Sequence, residues 1–299
     1  MPAARRVVLI VNPSAGGGRA ARLVPAVEAA LAAHGLPTRT ERTRSMDHAR
    51  QLAVAAHTAG ELPVTLSGDG LVGSVAGALS GRPGAVMGVL PGGRGNDFAR
   101  VSGIPRDPVR ACAVVARGVP HPVDLGEVDG RPFVGIASLG FDSDANRIAN
   151  AAPARLGTLV YAYGAVRALV GWRHARFSVT VDGERREFTG WSVAAANTKA
   201  YGGGMYLAPD AELDDGRLDV VLCRASSRLT FLRMLPRVFR GTHVRDPRFE
   251  VLRGREVRVS ADRPFVVYAD GDPIGELPAT ITCRPGAVRV LLPAPGTPR

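Results

Sequence analysis

The sequence predicts an N-terminal, doubly wound (Rossmann-like) α/β domain followed by a C-terminal, mostly antiparallel β-sandwich domain. Three patterns carry that expectation. Short apolar runs alternate with helical patterns over about the first 120 residues. The first, third and fourth of the expected strands each open into a small-residue loop. Beyond Pro120 the spacing tightens, and short strands are joined by Asp-Gly turns. A chain of 299 residues is long enough for two domains with cores of their own.

Val7-Val8-Leu9-Ile10-Val11 is continuously apolar, as a parallel strand buried on both faces must be. A helix follows from Leu23 to His34, with Pro25 in its first turn and Gly35 as its stop. Thr38–Thr43 reads as a second strand, and Asp47 as the cap of a helix reaching Thr58. Pro63–Leu66 and Ala85–Leu90 are the third and fourth strands, with a small-residue helix, Leu71–Leu79, between them. Helical patterns continue at Asn96–Val101 and Pro108–Arg117. This β-α-β-α order calls for a parallel sheet with right-handed crossovers. The first domain therefore spans residues 1–120 and the second 121–299. In the second, Asp129-Gly130 and Asp182-Gly183 have the two-residue hairpin signature. Further strands are expected at Trp191–Ala196, Leu218–Cys223, Arg255–Ser260, Phe265–Ala269, Ala279–Cys283 and Ala287–Leu292, the last left open to return to the first domain. Helices are expected at Leu156–Trp172 and Leu229–Phe239, and a loose tail at Pro293–Arg299.

Composition narrows the function classes. Apolar residues at 45% and charged residues at 22% exclude a disordered chain or coiled coil. The net charge of +11 invites nucleic acid, but Lys199 is the only lysine and the arginines are scattered without a basic run of five. That bias is compositional background, and no nucleic-acid partner is expected. Cys112, Cys223 and Cys283 lack disulfide-framework or metal-ligand spacing, which fits a reducing compartment. No apolar run approaches the roughly 20 residues of a membrane span. Arg5 and Arg6 precede only five apolar residues, so no signal peptide is expected. His34, His48, His57, His121, His174 and His243 show no ligand spacing.

The chemistry concentrates at strand ends, where ligands sit in doubly wound sheets. Asn12-Pro13-Ser14-Ala15-Gly16-Gly17-Gly18 follows the first strand, Ser67-Gly68-Asp69-Gly70 the third, and Gly92-Gly93-Arg94-Gly95-Asn96-Asp97 the fourth. Glycines let backbone N–H groups approach an anion at a helix N-terminus. Aspartates at the rim suit Mg²⁺, which takes oxygen ligands. None of the three is a Walker loop or a GxGxxG turn. Together they describe a polyphosphate pocket; each alone is also an ordinary turn.

These three loops, the last extending through Phe98-Ala99-Arg100, resemble the signature loops of the diacylglycerol kinase catalytic-domain family, which includes bacterial lipid kinases and sphingosine kinases and is distantly similar to NAD kinases. Asp124-Leu125-Gly126, Gly202-Gly203-Gly204, Asp214-Asp215-Gly216-Arg217-Leu218-Asp219 and Asp270-Gly271-Asp272 resemble later family motifs in the same order, so the likeness covers nearly the whole chain. It implies transfer of a phosphoryl group from ATP to a lipid hydroxyl, most naturally that of diacylglycerol, with Mg²⁺ as cofactor. By position it assigns nucleotide contacts to Asn12, Ser14, Gly16, Thr43, Ser67, Gly68, Asp69, Gly70, Leu71, Gly73, Gly93, Arg94 and Asn96. It assigns Mg²⁺ and its waters to Asp69, Asp97 and Asp124, and a structural Mg²⁺ to Glu212, Asp215 and the carbonyl near Arg217. Asp270 becomes the general base, in keeping with a reaction that needs positioning, charge neutralisation and a proton acceptor. As bare structure, Asp270-Gly271 is a hairpin turn like Asp182-Gly183.

The chain departs from the family pattern in places. Ser67 replaces a glycine, Leu71 a threonine, Gly73-Ser74 a polar pair, Arg94 a threonine and Asp272 a glutamate. Two phosphate-facing hydroxyls are lost and a guanidinium is gained, and arginine binds phosphate through two bonds. On the lipid side, Leu156–Trp172 reads as a helix packed on the sheet, with an interfacial role as the alternative. Leu229–Phe239 sets Arg228, Arg233, Arg237 and Arg240 beside Phe231, Leu232, Leu235 and Phe239, a pattern suited either to an anionic bilayer or to a solvated basic face. The expectation is a cytoplasmic lipid kinase, peripheral at the inner face of the membrane, with its acceptor hydroxyl between the domains and a homodimer left open. Two alternatives stand. A kinase of a soluble acceptor such as NAD would put labelled phosphate in water. A non-catalytic nucleotide- or lipid-binding regulator would bind ATP without transfer.

Overall fold

In a computed structural model describing residues 6–152 and 159–294, the chain divides into two compact units, Met1–Val123 with Gly286–Arg299, and Asp124–Pro285. Arg5, Leu156 and the end of the expected loose tail, residues 295–299, lie outside the described residues.

The first unit runs β1 (Val7–Val11), α1 (Ala15–Ala33), β2 (Thr38–Arg42), α2 (Met46–Thr58), β3 (Leu62–Ser67), α3 (Asp69–Leu79), β4 (Val86–Pro91), α4 (Asp97–Val101) and α5 (Pro108–Arg117). Its strands pair in parallel in the order β2-β1-β3-β4. All five residues of β1 are fully buried, each with about 1.5–3 kcal/mol of gross burial behind it. The chain order reverses between β1 and β3, the switch point where such sheets bind ligands. Two local expectations need correction. The N-cap of α2 is Ser45, whose hydroxyl accepts the His48 N–H at 3.1 Å; Asp47 sits in the first turn instead. Pro25 lies inside α1, which begins ahead of Leu23. Gly16, Gly17 and Gly18 all have left-handed backbone (φ 61, 67 and 84°), so regular helix resumes only at Arg19.

β5 (Val119–Val128) leads from one unit into the other. The second unit continues with β6 (Arg131–Phe133), β7 (Ile136–Gly140), α6 (Phe141–Ala151), α7 (Leu159–Gly171), β8 (Ala175–Val181), β9 (Glu184–Ala196), β10 (Leu218–Arg224), α8 (Arg228–Phe239), β11 (Phe249–Gly254), β12 (Glu256–Ala261), β13 (Val266–Ala269), β14 (Asp272–Glu276) and β15 (Ala279–Leu292). The pairings are antiparallel, in the order β14-β13-β7-β9-β8-β12-β15, with β10 and β11 added beside β9. The two expected final strands are one: β15 passes through Gly286 (φ 54°), and its last residues lie parallel to β4 in the first unit. Helix α6 was not foreseen. It anchors the core through Phe141, which meets Trp172 and Trp191 edge-on at 5.5 Å. α7 packs through Ala168 and Leu169 while Val166 and Val170 stay exposed.

Candidate functional site

In the first unit, the loops after β1, β3 and β4 touch backbone to backbone. A Cβ added at Gly93 would lie 2.5 Å from the Gly68 Cα, and one at Gly16 would lie 2.6 Å from the Gly92 carbonyl oxygen. Glycine is therefore required for the loops to converge, apart from any contact with ligand. Gly92 and Gly93 donate to the Ser67 carbonyl at 2.8 and 3.1 Å. Asn96, itself left-handed, accepts from the Gly93 N–H and donates to the Gly93 carbonyl at 2.8 and 2.9 Å, closing the β4 turn. In the loop after β1, Asn12 Oδ1 accepts from the Ser14 N–H and hydroxyl. Thr43 is joined to the same strand end by its N–H, which donates to the Val11 carbonyl at 2.8 Å.

Asp69 accepts the N–H groups of Asp97 and Phe98, each at 3.0 Å, and so ties the β3 loop to the start of α4. Burial, then the nearby Asp97 charge, push its pKa up to about 6 against the pull of those N–H donors. A Cβ at Gly95 would meet Asp97 Oδ2 at 3.0 Å and Asp69 Oδ2 at 3.5 Å, so the two carboxylates flank one spot. Arg100 Nε, 3.4 Å from Asp97 Oδ1, offsets part of the repulsion. Two crowded carboxylates beside a glycine loop fit a hard dication. Leu71 and Gly73 are buried in α3, facing the core, while Arg94 is half-buried, with no ion pair among the described residues.

The second unit holds the later aspartates in a connected network. Asp270 (φ 54°) and Gly271 (φ 93°) form the β13–β14 hairpin. The Asp270 carboxylate accepts from the Val134 and Gly135 N–H groups at 2.9 and 2.8 Å. A Cβ at Gly135 would lie 2.4 Å from Asp270 Oδ1. The fully buried Asn197 donates to the carbonyls of both Val134 and Asp124, at 2.9 and 2.8 Å. The Asp124 carboxylate in turn accepts the Gly216 N–H at 2.6 Å, which holds the Asp214-Asp215-Gly216 turn. Asp124, Asp270 and the Asp215 loop are thus joined through Asn197. Of the expected metal ligands, Asp69 and Asp97 lie in the first unit and Asp124, Glu212, Asp215 and Arg217 in the second. Among the described residues, no three His, Cys, Asp or Glu side chains form a ready metal cage.

Two family models cover the chain, the diacylglycerol kinase catalytic domain over residues 6–128 and the YegS C-terminal NAD kinase beta sandwich-like domain over 135–292. A diacylglycerol kinase of Mycobacterium tuberculosis is 32% identical over 97% of this chain and 96% of its own. The chain belongs to the diacylglycerol kinase family. It is a phosphotransferase of the lipid kinase class, with an alcohol group as acceptor and ATP as co-substrate. A diacylglycerol kinase of Bacillus subtilis is 28% identical over 97% of each chain. The crystal structure of a diacylglycerol kinase from Bacillus anthracis shares the fold, with a TM-score of 0.74, 20% identity and 99% of each chain covered.

Within this diacylglycerol kinase family member, three polar side chains stand out that the motifs did not announce. Asn197 is one; its only signal was a polar residue directly after an apolar strand. Arg253 is the second. It pairs with Asp219 at 3.1 Å and Asp215 at 3.2 Å and donates to the Asp210 carbonyl. Arg253 thus sets a cation of the chain beside the loop expected to hold a structural Mg²⁺. Asp142, at the start of α6, is the third: burial pushes its pKa up to about 6 despite bonds from Tyr201 and Ser192. Among the described residues no helix is long and apolar enough to cross a membrane.

Proposed function

We propose that this chain transfers the γ-phosphoryl group of ATP to the hydroxyl of diacylglycerol, with Asp270 taking the hydroxyl proton. The observation that carries the reading of the base is the pinned Asp270 carboxylate. The N–H groups of Val134 and Gly135 and the hairpin fix where it points. Backbone donors around Gly16, Gly68 and Gly93 and the guanidinium of Arg94 would receive the phosphates, a scheme that needs no hydroxyl at position 71. Asp69 and Asp97 would hold Mg²⁺, which neutralises phosphate charge when bound.

The test is transfer from labelled ATP to a total lipid extract, resolved by chromatography. Label in a spot that co-migrates with phosphatidic acid is expected. Label in another lipid would replace the acceptor, label confined to water would favour a soluble acceptor, and ATP binding without transfer would favour a regulator.

A further inference from the structure

We propose that the outer face of α8 docks the chain on an acidic lipid bilayer. The inner face of this helix is committed to the core: Met234 and Val238 are buried, and Phe231 stacks on Trp191 at 4.1 Å. The outer face is apolar where solvent should favour polar residues. Leu229 is 56% exposed, Leu232 40% and Phe239 53%. At 3.6 residues per turn, Leu229, Leu232, Pro236 and Phe239 fall in one stripe. Arg233, Arg237 and Arg240 follow one side of it and Arg228 the other. No acidic residue occurs between Arg224 and Arg245. Arg228 donates to the Trp172 carbonyl and Arg237 leans on Asp246 at 3.5 Å; Arg233 and Arg240 form no ion pair among the described residues.

A scattered exposed leucine has no meaning, but an aligned apolar stripe edged by cations is the pattern of a helix lying in a bilayer interface. The stripe enters the acyl boundary while the arginines snorkel to anionic headgroups. A second copy of this chain is a poor occupant, because a two-fold contact on this face would set arginines against arginines. An acidic protein would satisfy the arginines but would need a groove for the convex stripe. The docking goes beyond the kinase reading and needs no phosphoryl transfer.

The full chain is tested for co-sedimentation with vesicles of phosphatidylcholine alone or mixed with phosphatidylglycerol. Binding should require the anionic lipid and weaken with salt. Each arginine near the surface contributes about fivefold, so Arg233→Gln with Arg240→Gln should cost about 25-fold. Leu232→Trp, on an exposed site away from the buried Trp172 and Trp191, should be quenched by brominated acyl chains. Unchanged binding by the double variant, or no quenching at position 232, would overturn the proposal. Turnover of short-chain diacylglycerol in neutral detergent separates the two readings. It should be equal in wild type and double variant. No turnover in either, with docking intact, would remove the kinase assignment and leave the docking face standing.

Discussion

Asp270 has a structural double in the same unit, and that permits a controlled test of its chemistry. Asp182 also opens an Asp-Gly hairpin with left-handed backbone (φ 47°), and its carboxylate accepts the Arg255 and Glu256 N–H groups at 2.8–3.1 Å. Replacing either residue by alanine removes the same kind of anchor and places a Cβ residue without local hydrogen bonding at positive φ. A hydrogen bond to a charged acceptor is worth about 1.5–3 kcal/mol, less where water competes. Left-handed backbone costs alanine roughly 1 kcal/mol more. Asp270→Ala should therefore lose about 2–4 kcal/mol of stability, and Asp182→Ala, whose bonds are more exposed, about 1–3. Activity should separate them. Loss of a general base costs about 10²–10⁴ in rate. Asp270→Asn keeps the turn and one acceptor, so it should be nearly as stable as wild type and still lose that rate, while Asp182→Ala keeps it. Denaturant titration and initial rates from labelled ATP measure both quantities. Asp270→Asn turning over within tenfold of wild type would refute the base and reduce Asp270 to a hairpin anchor.

The remaining expectations concern loops and charge. Gly93→Ala should abolish the rise in melting temperature on adding ATP and lower stability by about 1–3 kcal/mol, because the new methyl group meets the backbone of Gly68. For Asp142, the folded-state pKa near 6 lies above the ordinary 3.8, so between those values the native state binds more protons than the unfolded one. Its contribution to stability is complete below about pH 4 and fades as the pH rises through 6, at a cost of up to about 3 kcal/mol. Asp142→Asn should lack that decline and be the more stable protein at pH 8 in denaturant titrations across pH 4–8. Arg253→Met should cost about 1–3 kcal/mol by leaving Asp215 and the buried Asp219 unbalanced. Denaturant titration of wild type and variant measures that loss.

What could be read from the sequence depended on the range of the forces involved. β1 was legible because five adjacent residues are all buried and all apolar. The Asp129-Gly130 and Asp182-Gly183 hairpins were legible because two residues suffice to specify a left-handed turn. The cap of α2 was misplaced because Ser45 and Asp47 are both good caps, and only the backbone angles decide between them. Asn197 and Arg253 stayed hidden for another reason. Asn197 acts on carbonyls 63 and 73 residues away, and Arg253 on a carboxylate 34 residues away, which no local pattern encodes.

The departures of the Ser67–Ser74 loop acquire a physical sense from packing. Leu71, where relatives of the motif carry a hydroxyl, is 2% exposed and points into the core. Ser74 is buried and accepts the Arg50 Nε–H at 2.9 Å, which ties α3 to α2. Both positions serve the packing of α3. The backbone of the loop is unaffected by that exchange, since Gly68, Gly92 and Gly93 still meet at close approach and Asp69 still clamps the start of α4. Anion binding by backbone N–H groups depends on this geometry and not on the side chain at position 71. Leu71→Thr should therefore restore a hydroxyl at the expense of core packing, lowering stability with little gain in ATP affinity. A large gain in affinity would show instead that phosphate recognition here was weakened by loss of the hydroxyl and never carried by the backbone.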